Sequence, residues 1–377
     1  MDKCSFCGLS ELEVKKLLRG QDPNALICDS CIGIGYDNLD DEKFTNVQID
    51  INPKSIKREL DKYVIGQEIP KKILSVAIYN HMLKIENNLN IQKGNILLIG
   101  PTGSGKTYLS QIMAKILKVP CIIADTTTLT ESGYVGSDVE TIFQPLINKY
   151  SVEEISKSII VLDEIDKKAR KSGPNMSLTR DVSAESVQYS LLRMIEGCQV
   201  DVPLTGMRKH PHGDKITIDT SNILFIFSGA FVGLSDIIAK RLGKNEVGFG
   251  DKIKISKSVK ETELLKQIEQ DDLIQFGLIP ELVGRIPIIS TLDELKIDDL
   301  CRILTEPKDN LIIQYKTLLN VDNIKIHFSQ STIEKIAKTA YDKKIGARGL
   351  KSVIENIMID FMFDVDRKNS GEYNIEI

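Results

Sequence analysis

Residues 100–107 of this 377-residue chain read Gly100-Pro101-Thr102-Gly103-Ser104-Gly105-Lys106-Thr107, which fits the pattern G-x-x-x-x-G-K-[S/T]. The apolar run Ile96–Ile99 before it predicts a buried strand, and apolar residues at helical spacing after it predict an amphipathic helix: Leu109, Ile112, Met113 and Ile116. In such a setting the glycines turn backbone N–H groups toward a polyphosphate at the positive end of the helix dipole. Lys106 is expected to reach the β- and γ-phosphates, and the Thr107 hydroxyl to hold Mg²⁺. A glycine-rich turn without a ligand is the alternative, but the full pattern in this setting favours a site for a nucleoside triphosphate.

A second segment bears on whether the nucleotide is hydrolysed. The apolar residues 159–162 predict another buried strand, which ends in Asp163-Glu164. Carboxylates at the C-terminal edge of a parallel strand face the crevice where open α/β sheets bind ligands. Asp163 is expected to hold Mg²⁺ directly or through water, and Glu164 to polarise the attacking water. A solvated strand end is the alternative, and the nearby phosphate loop favours catalysis.

Composition sets limits on partners and location. The net charge is −4 and the pI is about 5.8, so the chain as a whole offers no basic surface for nucleic acid. The longest apolar runs are far too short to span a bilayer. The N-terminus lacks a charged and then apolar signal segment, which indicates a cytoplasmic protein.

Four of the seven cysteines lie in the first 31 residues, as the pairs Cys4-x-x-Cys7 and Cys28-x-x-Cys31 with 20 residues between them. This spacing is typical of a zinc ribbon, in which two turns present four thiolates to one tetrahedral ion. Disulfides are the alternative, which an odd cysteine total and the missing export signal disfavour. Residues 1–40 carry four basic and seven acidic side chains, and four thiolates on one Zn²⁺ add further negative charge. Such a module would repel phosphate backbones and fits docking to proteins better.

The chain divides into three predicted domains: a zinc-binding module at 1–40, a large α/β domain at 53–292, and a small α-rich domain at 293–377. In the large domain, candidate strands at 96–99, 121–124, 159–162 and 223–227 alternate with helices, which predicts a parallel sheet flanked by helices. One of these helices contains Val187, Leu191, Met194 and Ile195. The small domain is mainly helical, with expected strands at Ile324–Phe328 and at the C-terminus.

Five features, in this order, resemble the ClpX family of AAA+ unfoldases, and the resemblance covers nearly the whole chain. They are the four-cysteine module, Val64-Ile65-Gly66-Gln67, Gly133-Tyr134-Val135-Gly136, Arg208-Lys209-His210-Pro211 and Gly346-Ala347-Arg348-Gly349-Leu350. The zinc module and the Arg-Lys-His segment separate the chain from the related unfoldase HslU. The implied fold is an AAA+ P-loop ATPase with a small C-terminal domain and an N-terminal zinc module.

The resemblance also implies roles around the nucleotide. Val64 and Ile65 sandwich the adenine, although on pattern alone they could be two core residues. Arg285 matches the arginine finger that reaches the nucleotide of the neighbouring subunit, and Arg348 matches the arginine that touches nucleotide in its own subunit. Ser228, at a strand end, matches the place of a γ-phosphate sensor in a segment that departs from the family pattern. A finger acting in trans implies a closed ring, which in this family is a homohexamer.

The resemblance also implies that four further segments contact protein substrates or partners. Tyr134 and Val135 resemble a pore loop that grips the substrate, with Ser137 where the family has an acidic residue, and a plain tight turn is the alternative. Residues 172–183 resemble a second pore loop. Arg208, Lys209 and His210 resemble a basic collar at the pore entrance, for which a solvated basic loop is the alternative. Val247, Gly248 and Phe249 stand where the family carries Ile-Gly-Phe, the loop that docks a ClpP-type peptidase.

The function that follows is an ATP-driven protein unfoldase and translocase, the ATP-binding specificity subunit of the Clp protease. Its cofactors are ATP, Mg²⁺ and Zn²⁺, and its partners are a ClpP-type peptidase, protein substrates and adaptor proteins, without nucleic acid or membrane. The sequence contains no Gly-x-Ser-x-Gly and no His-Glu-x-x-His, so no peptidase site of its own is expected. A stand-alone remodelling chaperone remains an alternative, followed by a nucleic-acid-dependent ATPase.

Overall fold

The computed structural model describes residues 3–10, 14, 16–19, 26–29, 31–32, 52–117, 119–130, 137–170, 182–203, 215–243, 257–365 and 371–375. The chain forms two compact units, residues 1–51 and 52–377. The first unit contains the antiparallel strands β1 (Leu17–Arg19) and β2 (Leu26–Cys28), together with an isolated bridge between Lys3 and Ser10. The pairing of β1 with β2 brings Cys28 opposite Leu17.

The second unit combines strands and helices in alternation. Its strands are β3 (Ile96–Ile99), β4 (Cys121–Asp125), β5 (Leu129–Thr130), β6 (Ser137–Asp138), β7 (Ile159–Asp163), β8 (Gln199–Pro203), β9 (Lys215–Asp219), β10 (Leu224–Gly229), β11 (Ile288–Thr291), β12 (Ile324–Phe328) and β13 (Gly371–Ile375). The helices described are α1 (Pro53–Asp61), α2 (Glu68–Glu86), α3 (Lys106–Leu117), α4 (Gln144–Ile147), α5 (Val152–Ile155), α6 (Val182–Glu196), α7 (Leu234–Arg241), α8 (Lys257–Leu265), α9 (Gln270–Phe276), α10 (Pro280–Gly284), α11 (Ile297–Thr305), α12 (Leu311–Asn320), α13 (Gln330–Asp342) and α14 (Ala347–Asp364). Short 3₁₀ turns cover Thr126–Thr128, Val139–Phe143 and Ile165–Lys168.

Five strands form a fully parallel sheet in the order β11-β3-β10-β7-β4. Successive side chains of a strand point to opposite faces. The alternate residues Leu97 and Ile99 accordingly pack into one apolar cluster with α6 and α7, and Ile96 and Leu98 pack into another with α1, α2 and α3. Burial on both faces explains why the central strands β3, β7 and β10 read as continuous apolar runs rather than as an alternating pattern.

The four expected strands of the sheet are confirmed, with slightly longer C-terminal ends for three of them. The predicted list of strands omitted β11, which the structure adds beside β3 at the sheet's edge. Its sequence Ile288-Ile289-Ser290-Thr291 is half polar and only partly buried, because an edge strand has one neighbour and packs less completely than the central strands. A short mixed run of this kind gives little periodicity to detect.

The part of the chain after β11 has an apolar cluster of its own, made of residues between Leu295 and Ile375. The two strands expected there are confirmed as β12 and β13, which pair in parallel. In the described part of the chain, no helix combines the length and the apolarity needed to cross a membrane.

Candidate active site

The phosphate loop connects β3 to α3, as the sequence predicts. Gly103 and Gly105 have φ of +78° and +98°, values that a side chain would strain, and α3 begins at Lys106. The N-terminus of this twelve-residue helix therefore faces the concave side of the loop. This is the geometry in which backbone N–H groups and the helix dipole receive an anion.

Lys106 is buried at the floor of the loop. Its Nζ donates hydrogen bonds to the carbonyl oxygens of Gly100 and Pro101, at 2.8 and 3.0 Å. Burial lowers the pKa of the Lys106 ammonium, while the nearby carboxylates of Asp163 and Asp166 raise it. A polyphosphate at this place would supply the negative charge that a buried ammonium needs.

Asp163 lies at the end of β7 and joins several elements. Its Oδ2 accepts a bond from the Thr107 hydroxyl and its Oδ1 one from the Ser228 hydroxyl, both at 2.6 Å. The Thr126 hydroxyl donates to the Asp163 carbonyl at 2.9 Å. Thr107 and Asp163 thus present two hard oxygen atoms side by side, the ligand type that Mg²⁺ prefers, so the donor set fits this ion.

Glu164 follows Asp163 in a left-handed conformation, with φ of +59°, and its side chain is exposed. Its backbone N–H donates to Asp163 Oδ1 at 3.0 Å. A non-glycine residue held at positive φ is uncommon and is found disproportionately at functional sites. This turn directs consecutive carboxylates differently, one to the oxygen cluster and the other to solvent.

A cavity of about 640 Å³ lies against the phosphate loop and is large enough for a nucleotide. It is lined by residues from several predicted parts of the site, including Val64, Ile65, Lys106, Asp163, Glu164 and Arg348. Val64 and Ile65 are also buried, and Val64 packs into the cluster beneath α1 to α3. Val64 therefore lines the cavity and also belongs to the apolar core.

The turn before α14 touches the phosphate loop directly, a contact that the sequence did not reveal. The N–H of Ala347 donates to the carbonyl of Gly103 at 3.0 Å. A Cβ on Gly103 would lie 2.2 Å from the carbonyl oxygen of Ile345, so only glycine permits this approach. The contact places Arg348, one residue further, at the wall of the cavity.

Arg285 is placed differently from Arg348. It is not one of the described residues that line the cavity, and its side chain is half exposed. The guanidinium pairs with Glu196 at the end of α6, with Nη2 and Nε at 2.8 and 3.0 Å from one carboxylate oxygen. Arg348 thus lies at the nucleotide cavity of its own chain, whereas Arg285 lies on the outer surface of the described residues.

The four N-terminal cysteines are brought together. The sulfur atoms of Cys4, Cys7, Cys28 and Cys31 all lie within 4.8 Å of one another, and those of Cys7 and Cys28 are 3.7 Å apart. Four thiolates around one Zn²⁺ at about 2.3 Å give sulfur–sulfur distances of roughly 3.8 Å, so the cluster fits a zinc ion. The described cysteines carry no disulfide.

Three predicted segments fall outside the described residues: Tyr134 with Val135, Arg208 to His210, and Val247 to Phe249. The second predicted pore loop, 172–183, lies outside them up to residue 181. Neighbouring strands are described, with β5 and β6 paired in parallel before and after the first segment, and β8 and β9 paired antiparallel around the second. Their roles stay predictions.

Comparison with known proteins gives three family matches in chain order. A ClpX C4-type zinc finger matches residues 2–41, an AAA domain (Cdc48 subfamily) matches residues 91–289, and the C-terminal, D2-small domain of ClpB protein matches residues 295–366. The chain is 47% identical over 373 residues to the ATP-dependent Clp protease ATP-binding subunit ClpX of Treponema denticola, with 96% of this chain and 89% of that protein covered.

These matches agree with the geometry. The AAA match contains the phosphate loop, Asp163 and Glu164, and the zinc-finger match contains all four clustered cysteines. The protein is an ATP hydrolase whose cofactors are ATP, Mg²⁺ and Zn²⁺. The resemblance inferred from sequence is confirmed, and the chain belongs to the ClpX family of AAA+ ATPases.

Proposed function

We propose that this chain is an ATP-driven protein unfoldase and translocase, the specificity subunit of a two-component Clp protease in the cytoplasm. It assembles as a homohexamer, threads substrates through a central pore, and delivers them to a separate ClpP-type peptidase. The name of the Treponema denticola relative, a Clp protease ATP-binding subunit, supports this proposal.

At the nucleotide, each residue has a role that suits its position. Val64 and Ile65 hold the adenine at the apolar wall. The loop from Gly100 to Gly105, in which every residue except Pro101 has a backbone N–H, receives the phosphates. Lys106 neutralises the β- and γ-phosphates, and Thr107 with Asp163 holds Mg²⁺. Glu164 orients the attacking water, for which its exposed carboxylate beside Asp163 is suited.

The observation that carries the proposal is the separation of the two arginines. Arg348 lines the cavity of its own chain, whereas Arg285 is half exposed and pairs with Glu196 instead. A finger that acts on a neighbour's nucleotide must be reachable from outside its own subunit, and an arginine supplied in trans neutralises charge that builds on the γ-phosphoryl oxygens. Head-to-tail contacts of this kind close into a ring, here a hexamer.

The pore and docking roles rest on the sequence and the family. Tyr134 and Val135 grip the substrate inside the pore, and Arg208, Lys209 and His210 attract acidic tags and carboxylates at its entrance. The peptidase ring is bound by an apolar docking loop that contains Val247, Gly248 and Phe249. Each loop binds weakly, and several loops that bind one ring together give a high overall affinity.

The zinc module is proposed to recruit protein substrates and adaptors, since its acidic charge suits protein partners better than nucleic acid. We propose the boundaries 1–40, 53–292 and 293–377 for the zinc-binding, large and small domains. The compact unit that begins at Asn52 and the separate apolar cluster from Leu295 onward support these boundaries.

The deciding experiment is degradation of a tagged, stably folded reporter by the purified chain, a ClpP-type peptidase and ATP, with each component omitted in turn. Degradation is expected only in the complete mixture. Unfolding without any degradation at saturating peptidase would point to a stand-alone chaperone instead. ATP turnover stimulated by nucleic acid, with no effect of protein substrates, would refute the unfoldase assignment.

A further inference from the structure

Gln67 lies directly after the Val64-Ile65-Gly66 segment and at the start of α2, in an unusual backbone conformation. Its φ of +55° and ψ of +42° are left-handed, and it makes no side-chain capping bond to the helix that it precedes. The residue is nevertheless buried, with 7% of its surface exposed. A buried non-glycine residue keeps such a conformation only where its surroundings hold it there.

The side-chain amide of Gln67 is held by a residue 226 positions away. Nε2 donates to the carbonyl of Asp293 at 2.8 Å, and Oε1 accepts from the N–H of Asp293 at 2.9 Å. Both backbone groups of Asp293 are therefore bound by one side chain. Nε2 also lies 3.4 Å from the carbonyl oxygen of Ser104, in the phosphate loop.

Asp293 marks the point where the chain leaves the sheet. It follows Leu292, whose N–H donates to Ile99 at 2.7 Å and whose side chain is buried with the sheet. A Cβ on Gly100 would lie 2.9 Å from that of Leu292, so the first residue of the phosphate loop packs against this exit. The C-terminal apolar cluster begins with Leu295, and α11 follows at Ile297.

We infer that Gln67 is a positioning residue that transmits nucleotide binding to the C-terminal helical part of the chain. One rigid amide connects the end of the adenine segment, the phosphate loop and the exit of the sheet. As long as the hydrogen bonds of Gln67 are kept, a nucleotide that moves residues 64–65 or Ser104 acts on Asp293 through this amide. This route is separate from the one through Arg348, and it rests on the proposed nucleotide site.

The test is hydrogen–deuterium exchange of residues 297–305 in the full-length protein, with and without a saturating non-hydrolysable ATP analogue and Mg²⁺. Because the analogue is saturating, a difference between variants in affinity for the analogue does not affect the comparison of their exchange rates. In the wild type, the analogue should change the exchange rate of these residues. The ratio of the exchange rates with and without the analogue measures this effect. In Gln67→Ala, the fold-change given by this ratio should be at least threefold smaller than in the wild type. A purely structural role would raise exchange with and without the analogue alike and leave the ratio unchanged, which would overturn the inference. An absence of any analogue effect in the wild type would overturn it too.

Further variants separate the side-chain bonds from the backbone conformation. Gln67→Gly relieves the positive φ but lacks the amide, so it should behave as Gln67→Ala does; full transmission in this variant would refute the role of the amide. Gln67→Glu keeps the acceptor for Asp293 N–H and loses both donated bonds. The analogue should also have a smaller effect on the exchange of residues 297–305 in Gln67→Glu. This variant serves as the test if the alanine variant does not fold.

The matched control is Gln330→Ala, which removes an exposed glutamine whose side chain donates to Glu334 on its own helix, at 3.1 Å. It should keep the wild-type ratio. Binding of a fluorescent ATP analogue is measured for all variants together with Lys106→Ala. Unchanged binding by Lys106→Ala would contradict the nucleotide site itself, whereas normal binding with full transmission in Gln67→Ala would contradict only the present inference.

Discussion

Replacement of Gly346 by alanine should weaken ATP binding by separating the phosphate loop from the turn that carries Arg348. Gly346 has φ of +57° and ψ of −143°, a region that is almost restricted to glycine. An added Cβ would lie 2.6 Å from the carbonyl oxygen of Gly103 and 2.8 Å from its carbonyl carbon. Both neighbouring atoms belong to backbone, so no side chain can rotate to relieve the clash.

The magnitude follows from two contributions. Backbone strain at such a position costs about 1–3 kcal/mol. Separation of the two segments relieves the clash but breaks the bond from Ala347 N–H to Gly103, which contributes about 0.5–1.5 kcal/mol, and it withdraws Arg348 from the cavity. We therefore expect ATP affinity to fall at least tenfold, which corresponds to about 1.4 kcal/mol.

The assay is titration of a fluorescent ATP analogue, together with urea unfolding of the same samples. Gly243→Ala is the matched control, since Gly243 has φ of +66° but no atom of the described residues lies within 4 Å of its Cβ position. The control should lose about 1–2 kcal/mol of stability from backbone strain and keep its affinity for ATP. An affinity of Gly346→Ala within threefold of the wild type would refute the reasoning, as would an equal loss of affinity in the control.

Four further predictions follow from the proposed sites. Protein purified without chelator should contain about one zinc per chain, and Cys4→Ser should lower this content; metal-free wild type would contradict the zinc site. Glu164→Gln should bind ATP and barely hydrolyse it, and mixing it with inactive Arg285→Ala should restore some turnover, whereas mixed rings without any activity would argue against a finger in trans. Tyr134→Ala should keep ATP hydrolysis but stall on stably folded substrates, so normal degradation of such substrates would exclude the pore role. Phe249→Ala should abolish peptidase-dependent degradation and leave ATPase activity intact, and persistent degradation would place the dock elsewhere.

The sequence by itself determined the parts of the site that are contiguous in the chain. The phosphate loop, the Asp163-Glu164 pair and the paired cysteines are short patterns whose chemistry requires particular residue types at fixed spacing. The central strands were equally predictable, because burial on both faces makes each of them an uninterrupted apolar run. The edge strand β11 was missed because two of its four residues are polar, which leaves a mixed pattern.

Only the tertiary structure decided which distant residues meet at the site. The order of the sheet places β10 between β3 and β7, and this order brings the Ser228 hydroxyl to Asp163, where the sequence had suggested a phosphate sensor. The contacts of Gln67 with Asp293 and of Gly103 with Ala347 likewise join segments more than 200 residues apart. Periodicity reports which faces of an element are buried but not which element covers them, so such pairs depend on how the strands and helices pack.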